Sequence, residues 1–522
     1  MHTTSFFSLL PALLFGSAYA DAPWIRGNYE EYNIDLQWGS FPSQLYKSSP
    51  LQSPLWRVGI FERSKLDLSS PFIFTSGPIT NDSVTSALIF RADDLSLVYA
   101  DPMPALAVDA RVQKYMGKPY LTYFSGHISG GAHGVGTTQF YDRHYQLKYN
   151  VNVTDVSNGG ADLHEQQMTS DDTLLMTTYP TKPADLTSIG GPANGTQYDG
   201  CFQELDIGTR ESLFYWCASD HFNISDSYLP YGALDYGLPS TDGWDWFHIN
   251  SVHKYGEDYL VNSRLLKLVT LINGTSGEPI WKLGGKSNEF KDLSGGQATN
   301  FAYQHHARFH DTDLTKLTLF DNSELTWGLN CEGSNCTRAM HIELDYSKMT
   351  AKLAQQLFHP DNLTSGELGS VVNLPNGNTL VWWGQNPGMT EHLPDGTVVM
   401  DAQLGPYNGG GISYRAWKQN WTGMPLWAPS IAVENGVAYM SWNGATELYA
   451  WRVLTGATHS DLKTETRVPR EGFETSVRIS ARRIAYVQAE ALDVHGAILG
   501  TTGIVEMSTG TLVTDGSSSY AS

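Results

Sequence analysis

Positive charge is scarce in this sequence. Over 522 residues, 33 Lys and Arg stand against 54 Asp and Glu, a net charge of −21. A surface of that sign repels a phosphate backbone, which excludes nucleic acid as a partner. Cysteine is almost missing, with Cys201, Cys217, Cys331 and Cys336 and no CxxC pair among them. There is no HExxH, and no carboxylate falls at ligand-like spacing from His248, His305 and His306, so no metal is expected. The glycine-rich stretch Gly126–Gly136 lacks the Gly-Lys-Ser/Thr ending of a phosphate loop and reads as a turn-rich connection. No GxSxG elbow accompanies a plausible triad, and no bound cofactor is implied. Beyond residue 20 nothing approaches the roughly 18 apolar residues of a membrane span. The polar tail 517–522 excludes a lipid-anchor signal with a hydrophobic end.

What is present points outward from the cell. Residues 1–20 carry an apolar run from Phe6 to Phe15 and end in Ala18-Tyr19-Ala20, a small-x-small cleavage pattern, although the start has no Lys or Arg. This predicts a secretory signal peptide and a secreted, extracellular protein. Asn-x-Ser/Thr acceptors occur at Asn81, Asn152, Asn194, Asn223, Asn273, Asn335, Asn362 and Asn420, as expected of a glycosylated surface. In an oxidising compartment the cysteines are expected to form disulfides. Four cysteines allow three pairings. Nearest-neighbour pairing, Cys201–Cys217 and Cys331–Cys336, is the simplest, since both bonds clip local loops.

Long helical periodicities are few, and residues 346–358 are one of the few helix-permissive stretches. Short runs rich in β-branched and aromatic residues dominate instead, among them 174–179, 259–263, 379–383 and 437–442. Turns such as Pro375-Asn376-Gly377-Asn378 and Pro394-Asp395-Gly396 separate such runs. No linker or charge block divides the chain. A degenerate unit of strand, turn and second strand recurs, which predicts an all-β fold, a β-propeller in preference to a sandwich. The expected division is a signal peptide at 1–20, a short N-terminal β extension at 21–71 packed on the propeller, and a propeller domain at 72–522.

Three segments concentrate the chemistry: Asp245-Trp246-Phe247-His248-Ile249-Asn250-Ser251, Asn262-Ser263-Arg264, and Tyr303-Gln304-His305-His306-Ala307-Arg308. On an extended strand His248 and Asn250 share one face. A hairpin closing at 254–258 returns Arg264 to their level. An imidazole, an amide and a fixed cation on one hairpin suit the oxygens of a sulfate or phosphate. The same residues fit equally a hairpin with a core histidine and a surface ion pair. Adjacent His305 and His306 face opposite ways on a strand, so at most one of them enters the pocket of His248. A neutral imidazole there is a competent nucleophile toward a sulfuryl or phosphoryl centre.

These segments, with Trp281-Lys282-Leu283-Gly284-Gly285 and Leu319-Phe320-Asp321-Asn322, occur in the order found in the arylsulfotransferase family. The chain most resembles its secreted, largely fungal branch. Leu163-His164-Glu165, Gly369-Ser370 with 374–378, and Ser441-Trp442-Asn443-Gly444 extend the resemblance over roughly residues 72–451. It implies a six-bladed propeller with the active site in the central channel. It further implies transfer of a sulfuryl group from a small phenolic sulfate donor to a phenolic acceptor, ping-pong through a sulfohistidine, with no nucleotide sulfate donor. Carried over by motif, His305 is the nucleophile. His248, Asn250 and Arg264 hold the sulfuryl oxygens and assist proton transfer, and His164 matches the remaining channel histidine. His306 and Trp246 are added as substrate-binding candidates, and Trp246 and Tyr303 offer rings to stack on an aryl group. The extra N-terminal β-domain of bacterial relatives has too little room in residues 21–71.

Two rival functions are open to the sequence. One is a non-catalytic extracellular propeller that binds carbohydrate or protein. The other is a quinone-dependent propeller oxidoreductase, which would show cofactor absorbance.

Overall fold

The computed structural model describes residues 21, 23–26, 43–77, 86–102, 106–129, 133–157, 159–232, 243–323, 328–329, 336–407, 413–480 and 483–521. Among them there is no α-helix, only strands, turns and short 3-10 segments such as Arg63–Lys65. The runs predicted as strands are strands: Thr173–Thr178, Asp258–Ser263, Thr379–Trp382 and Val437–Ser441. Gly377, in the predicted turn, has φ 91°, a conformation glycine adopts without steric cost.

Antiparallel meanders follow one another along the chain. The strands Leu106–Tyr115, Lys118–Ile128, Gly134–Tyr141 and Leu147–Val151 form one sheet. Gln166–Met168, Thr173–Thr178, Cys201–Asp206 and Ser212–Cys217 form the next. Ile249–Tyr255, Asp258–Ser263, Leu268–Ile272 and Pro279–Gly284 follow. His305–Phe309, Lys316–Asp321, Arg338–Asp345 and Thr350–Phe358 come after them. Ser370–Asn373, Thr379–Trp382, Gly388–His392 and Val398–Gln403 make another sheet, extended at its edge by Trp56–Phe61 and Trp24–Arg26. Finally, Phe72–Ser76, Ala87–Arg91 and Leu97–Ala100 are completed by Ala416–Gln419 from far along the chain.

The inner strands touch in a circle. Ala416–Gln419 meets Leu106–Tyr115, which meets Gln166–Met168; Ile249–Tyr255 meets His305–Phe309, which meets Ser370–Asn373. Contacts of Thr173–Thr178 with Ile249–Tyr255, and of Thr379–Trp382 with Ala416–Gln419, complete the ring. This is a β-propeller, in which sheets stack face to face around an axis and both faces of each are buried. Apolar clusters fill the spaces between sheets, for example Leu260, Val269 and Trp281 against Leu317, Leu319 and Met340. Full burial of such a side chain stabilises by about 1.5–3 kcal/mol.

Two sequence expectations are revised. Residues 346–358 are a turn and the strand Thr350–Phe358, paired with Arg338–Asp345. Their helix-permissive composition yields to the ladder and to burial of Ala351 and Leu357. Residues 72–522, read as one propeller, also contain two further sheets from Ser430 onward, built on Val437–Ser441 and Ala450–Gly456. These have their own core around Met440, Trp442, Trp451 and Val487. Asn443 joins this part to the ring through paired hydrogen bonds with the backbone of Ala100. The 21–71 segment likewise feeds Trp56–Phe61 into a propeller sheet, pairing it with Val398–Gln403.

Cys201 and Cys217 form a disulfide across neighbouring strands. Cys336 is also disulfide-bonded; Cys331, its predicted partner, lies outside the described residues. So do the signal segment and the acceptors Asn81 and Asn335. Asn152, Asn194, Asn223, Asn362 and Asn420 are exposed, and Asn273 is half-buried.

Candidate active site

Because inner strands line the axis, their opening residues converge there. Several of these strands are irregular at that point, with register shifts at Val108/Arg111, Ile249/Ser251 and His305/Arg308. A bulge re-aims side chains, so neighbours in sequence reach different chambers.

His305 opens its strand and is buried. Its Nδ1 lies 2.8 Å from Asn322 Oδ1. The Asn322 amide nitrogen donates to Ser365 O and Leu368 O, at 2.7 and 3.0 Å, so Oδ1 is the acceptor and His305 Nδ1 carries the proton. The lone pair is therefore on Nε2, which accepts from the backbone N–H of Leu368 at 3.2 Å. Burial, and then the Arg264 charge, hold the imidazole well below its ordinary pKa despite the Asn322 contact. It is neutral in the physiological range. Gly369, next to Leu368, has φ 110°, and a Cβ there would lie 2.3 Å from the Phe320 ring. Only glycine leaves this segment close enough to place the Leu368 N–H.

Arg264 is fully buried, which removes the surface ion-pair alternative. Its backbone N–H donates to His248 O at 2.9 Å, so the hairpin does bring the two residues level. One guanidinium nitrogen reaches Gly366 O at 3.5 Å, on the segment that also meets His305. The guanidinium lies 5.1 Å from the centre of the Tyr303 ring. Tyr303 thus stacks against the arginine, an electrostatically favourable placement of a buried cation.

His248 is not on an extended strand. It precedes Ile249–Tyr255 with φ 52°, and Nδ1 lies 2.5 Å from Asp245 Oδ2. The same oxygen lies 3.0 Å from His133 Nε2. Burial acts to raise the Asp245 carboxyl, but the two imidazoles outweigh it and hold the group low and ionised. A carboxylate only accepts, so both contacting nitrogens carry protons and His248 Nε2 is aimed elsewhere. His164 packs edge-on to His248, with ring centres 4.8 Å apart. Its Nδ1 meets Asp162 Oδ2 at 2.6 Å. Burial lowers the His164 pKa even against Asp162, whose own carboxyl is held at about 2 against burial, chiefly by His164. The Tyr414 ring closes the chamber, 5.8 Å from His164 and 6.5 Å from His305.

The remaining predicted residues sit elsewhere. Asn250 lies in the bulge, so the shared face with His248 is lost. Its amide donates to Gln304 O at 2.8 Å, and its oxygen accepts from Asn262. That network binds the hairpin to the strand carrying His305. Trp246 is fully buried in the apolar core with Phe247 and Ile249, which corrects the idea that it stacks on an aryl group. His306 turns away from His305, as expected for adjacent strand residues, and reaches the other end of the channel.

Sequence reasoning assigned no role to His133, Asp245, Asp162, Asn322 or Tyr414. The spacings Asp245-x-x-His248 and Asp162-x-His164 were readable signals. His133 stood in the stretch assigned to a turn-rich connection, and its partner lies 112 residues away. Among the described residues, His133, Asp245 and His248 also offer ligand atoms within 4.8 Å of one another. Asp245 Oδ2 already accepts from both imidazoles, which favours an orienting carboxylate.

Fold and site together define a class: a β-propeller whose axis holds a buried, neutral imidazole flanked by a fixed guanidinium and carboxylate-oriented histidines. Comparisons with known proteins carry this further. The family model for Arylsulfotransferase (ASST) matches residues 111–405. The chain belongs to the arylsulfotransferase family. Membership supports arylsulfotransferase activity in general, with an aryl sulfate donor and a phenol acceptor. A search of curated proteins found no match. Similar solved structures include a Pseudomonas aeruginosa periplasmic gluconolactonase, at 11% identity over 66% of this chain and 98% of that one, TM-score 0.34. Another is the Cps50 (Swd1) β-propeller domain of Myceliophteria thermophila, at 9% identity over 77% and 96%, TM-score 0.32. No helix among the described residues is long and apolar enough to cross a membrane. The disulfide is consistent with a secreted protein.

Proposed function

We propose that this chain is a secreted, glycosylated arylsulfotransferase with the ring's six sheets as blades, and that His305 carries the sulfuryl group between phenols. The observation behind this is the fixed tautomer: Asn322 holds Nδ1–H, which leaves the Nε2 lone pair beside Arg264 and the His164–His248 pair. Nε2 attacks sulfur, the sulfur–aryl oxygen bond breaks, and its electrons leave on the phenolate. The general acid this step requires is the imidazolium form of His248, its Nδ1–H steadied by Asp245, which passes a proton from Nε2 to that oxygen. An acceptor phenol then returns its proton to the channel histidines as its oxygen displaces Nε2 from sulfur. Arg264 faces the sulfuryl oxygens throughout, and the Leu368 N–H is placed to meet one of them once Nε2 is bonded to sulfur. The phenolic leaving group, with a pKa near ~10, needs only modest proton assistance. No nucleotide sulfate enters the scheme.

The test is incubation with a chromogenic aryl sulfate and a phenol acceptor, then mass spectrometric mapping of any sulfonated residue. The expected label is on His305, absent in His305→Ala. A label on His306 would displace the assignment by one residue. Equal inertness of wild type and His305→Ala across a range of donors would leave a non-catalytic binding propeller in its place.

A further inference from the structure

At the other end of the axis lies a second chamber, a funnel of about 590 Å³ lined by His306, His253, Arg308, Arg111 and Trp417. That volume is typical of small-molecule sites. Tyr414 and Arg415 separate it from the His305 chamber. The Tyr414 hydroxyl donates to His164 O and Asn250 O at 3.0 and 3.2 Å, and Arg415 donates to Asn250 O at 3.0 Å.

The wall beneath the funnel is unbalanced in charge. Glu165 meets Arg308 at 2.5 Å, Arg111 at 3.1 Å and Arg415 at 3.2 Å. Asp109 meets Arg111 and Arg415 at 3.3 and 3.2 Å. Three guanidiniums therefore share two carboxylates, one positive charge in excess, in a protein whose total is −21. A buried excess charge is unfavourable until an anion meets it.

His306 shows where that anion would bind. Val371 N–H donates to its Nδ1 at 3.3 Å, so the proton is on Nε2. Nε2 has no hydrogen-bond partner, and His306 is 1% exposed. His253 Nδ1 is buried and unpartnered as well. Burial first, and then the arginines, keep both imidazoles neutral. The Trp417 ring stands edge-on to His306 at 5.1 Å with Arg111 over its face at 4.7 Å, and Tyr255 and Phe309 add aromatic wall.

We propose that the funnel is a second binding site, for a small aromatic monoanion, whose charged oxygens take the His306 Nε2–H and the excess charge of the arginine cluster while its ring lies against Trp417. The site is distinct from the transfer chamber and does not depend on it.

The probe is 2-naphthalenesulfonate, whose carbon–sulfur bond blocks transfer, titrated calorimetrically into the full-length protein. Wild type and His305→Ala are expected to bind it alike. His306→Leu should weaken binding about tenfold, the scale of a lost hydrogen bond to a charged group. His306→Gln, which restores an N–H at the same reach, should recover most of it. Thermal melts establish that each variant is folded; if His306→Leu is not, His253→Leu serves, with the same expected weakening. No saturable binding to wild type, or binding that His306→Leu and His253→Leu leave unchanged, overturns the proposal. Failure of the transfer assay alone would leave it standing.

Discussion

At the scale of the residue, protonation decides what each histidine can do. His305 is held with its lone pair on Nε2 by an amide that cannot reverse its role without losing its own hydrogen bonds. Asn322→Leu removes that hold, and turnover should fall roughly a hundredfold, the order seen when an orienting partner of a catalytic imidazole is lost. Steady-state kinetics with an aryl sulfate, beside a melt showing retained fold, checks this. The buried neutral histidines also set a stability profile. His305 and His306 lie well below the ordinary value, and His359 is pushed down to about 3, in each case first by burial. When pH falls below the unfolded pKa of ~6.5, the unfolded chain gains protons that the folded one refuses. Stability therefore falls with pH from about 6.5 toward 4, by about 1.4 kcal/mol per unit for each such histidine. Asp401, raised to about 6, opposes the trend. Chemical denaturation at pH 7.5 and 5.5 should show the lower pH less stable; equal midpoints would contradict it.

At the scale of the element, bulges matter more than strands. The strand pattern and its turns were legible in the sequence because alternation and turn residues are local. His248 and Asn250 were expected on one face; the irregularity at Ile249/Ser251 separates them. Asn250 is then a tie between elements, joined to Gln304 and Asn262. Asn250→Ala should cost stability, on the order of 1–3 kcal/mol for the buried groups left unpaired, with loss of activity following from displacement of His305. A melt and the sulfonation assay together test this. The disulfide belongs to this scale too. Cys201 and Cys217 are 16 residues apart, and Cys201→Ala with Cys217→Ala should cost about 3 kcal/mol in denaturant unfolding.

At the scale of the whole molecule, Glu165 is the keystone charge. It lies fully buried among Arg111, Arg308 and Arg415, drawn from three distant parts of the chain. Burial acts to raise its pKa, and the three guanidiniums together drive it well below the ordinary range. Glu165→Gln leaves Arg111 and Arg415 on Asp109 alone and takes from Arg308 the carboxylate it meets. A loss of about 3–5 kcal/mol is expected, read as a lowered melting temperature and poor expression. An unchanged melt would show that the cluster is hydrated and not dry.

By itself the sequence determined the all-β fold and the propeller, because strand patterning is a property of short segments, and its ordered motifs named His305, His248, Arg264 and His164 as candidates. The tertiary structure decided the rest. It alone brought His133 onto Asp245 and Asn322 onto His305, and it alone parted Asn250 from His248. Closing a ring of sheets makes neighbours of residues a hundred positions apart, and a bulge parts side chains that a regular strand would hold on one face. Neither leaves a local pattern to read.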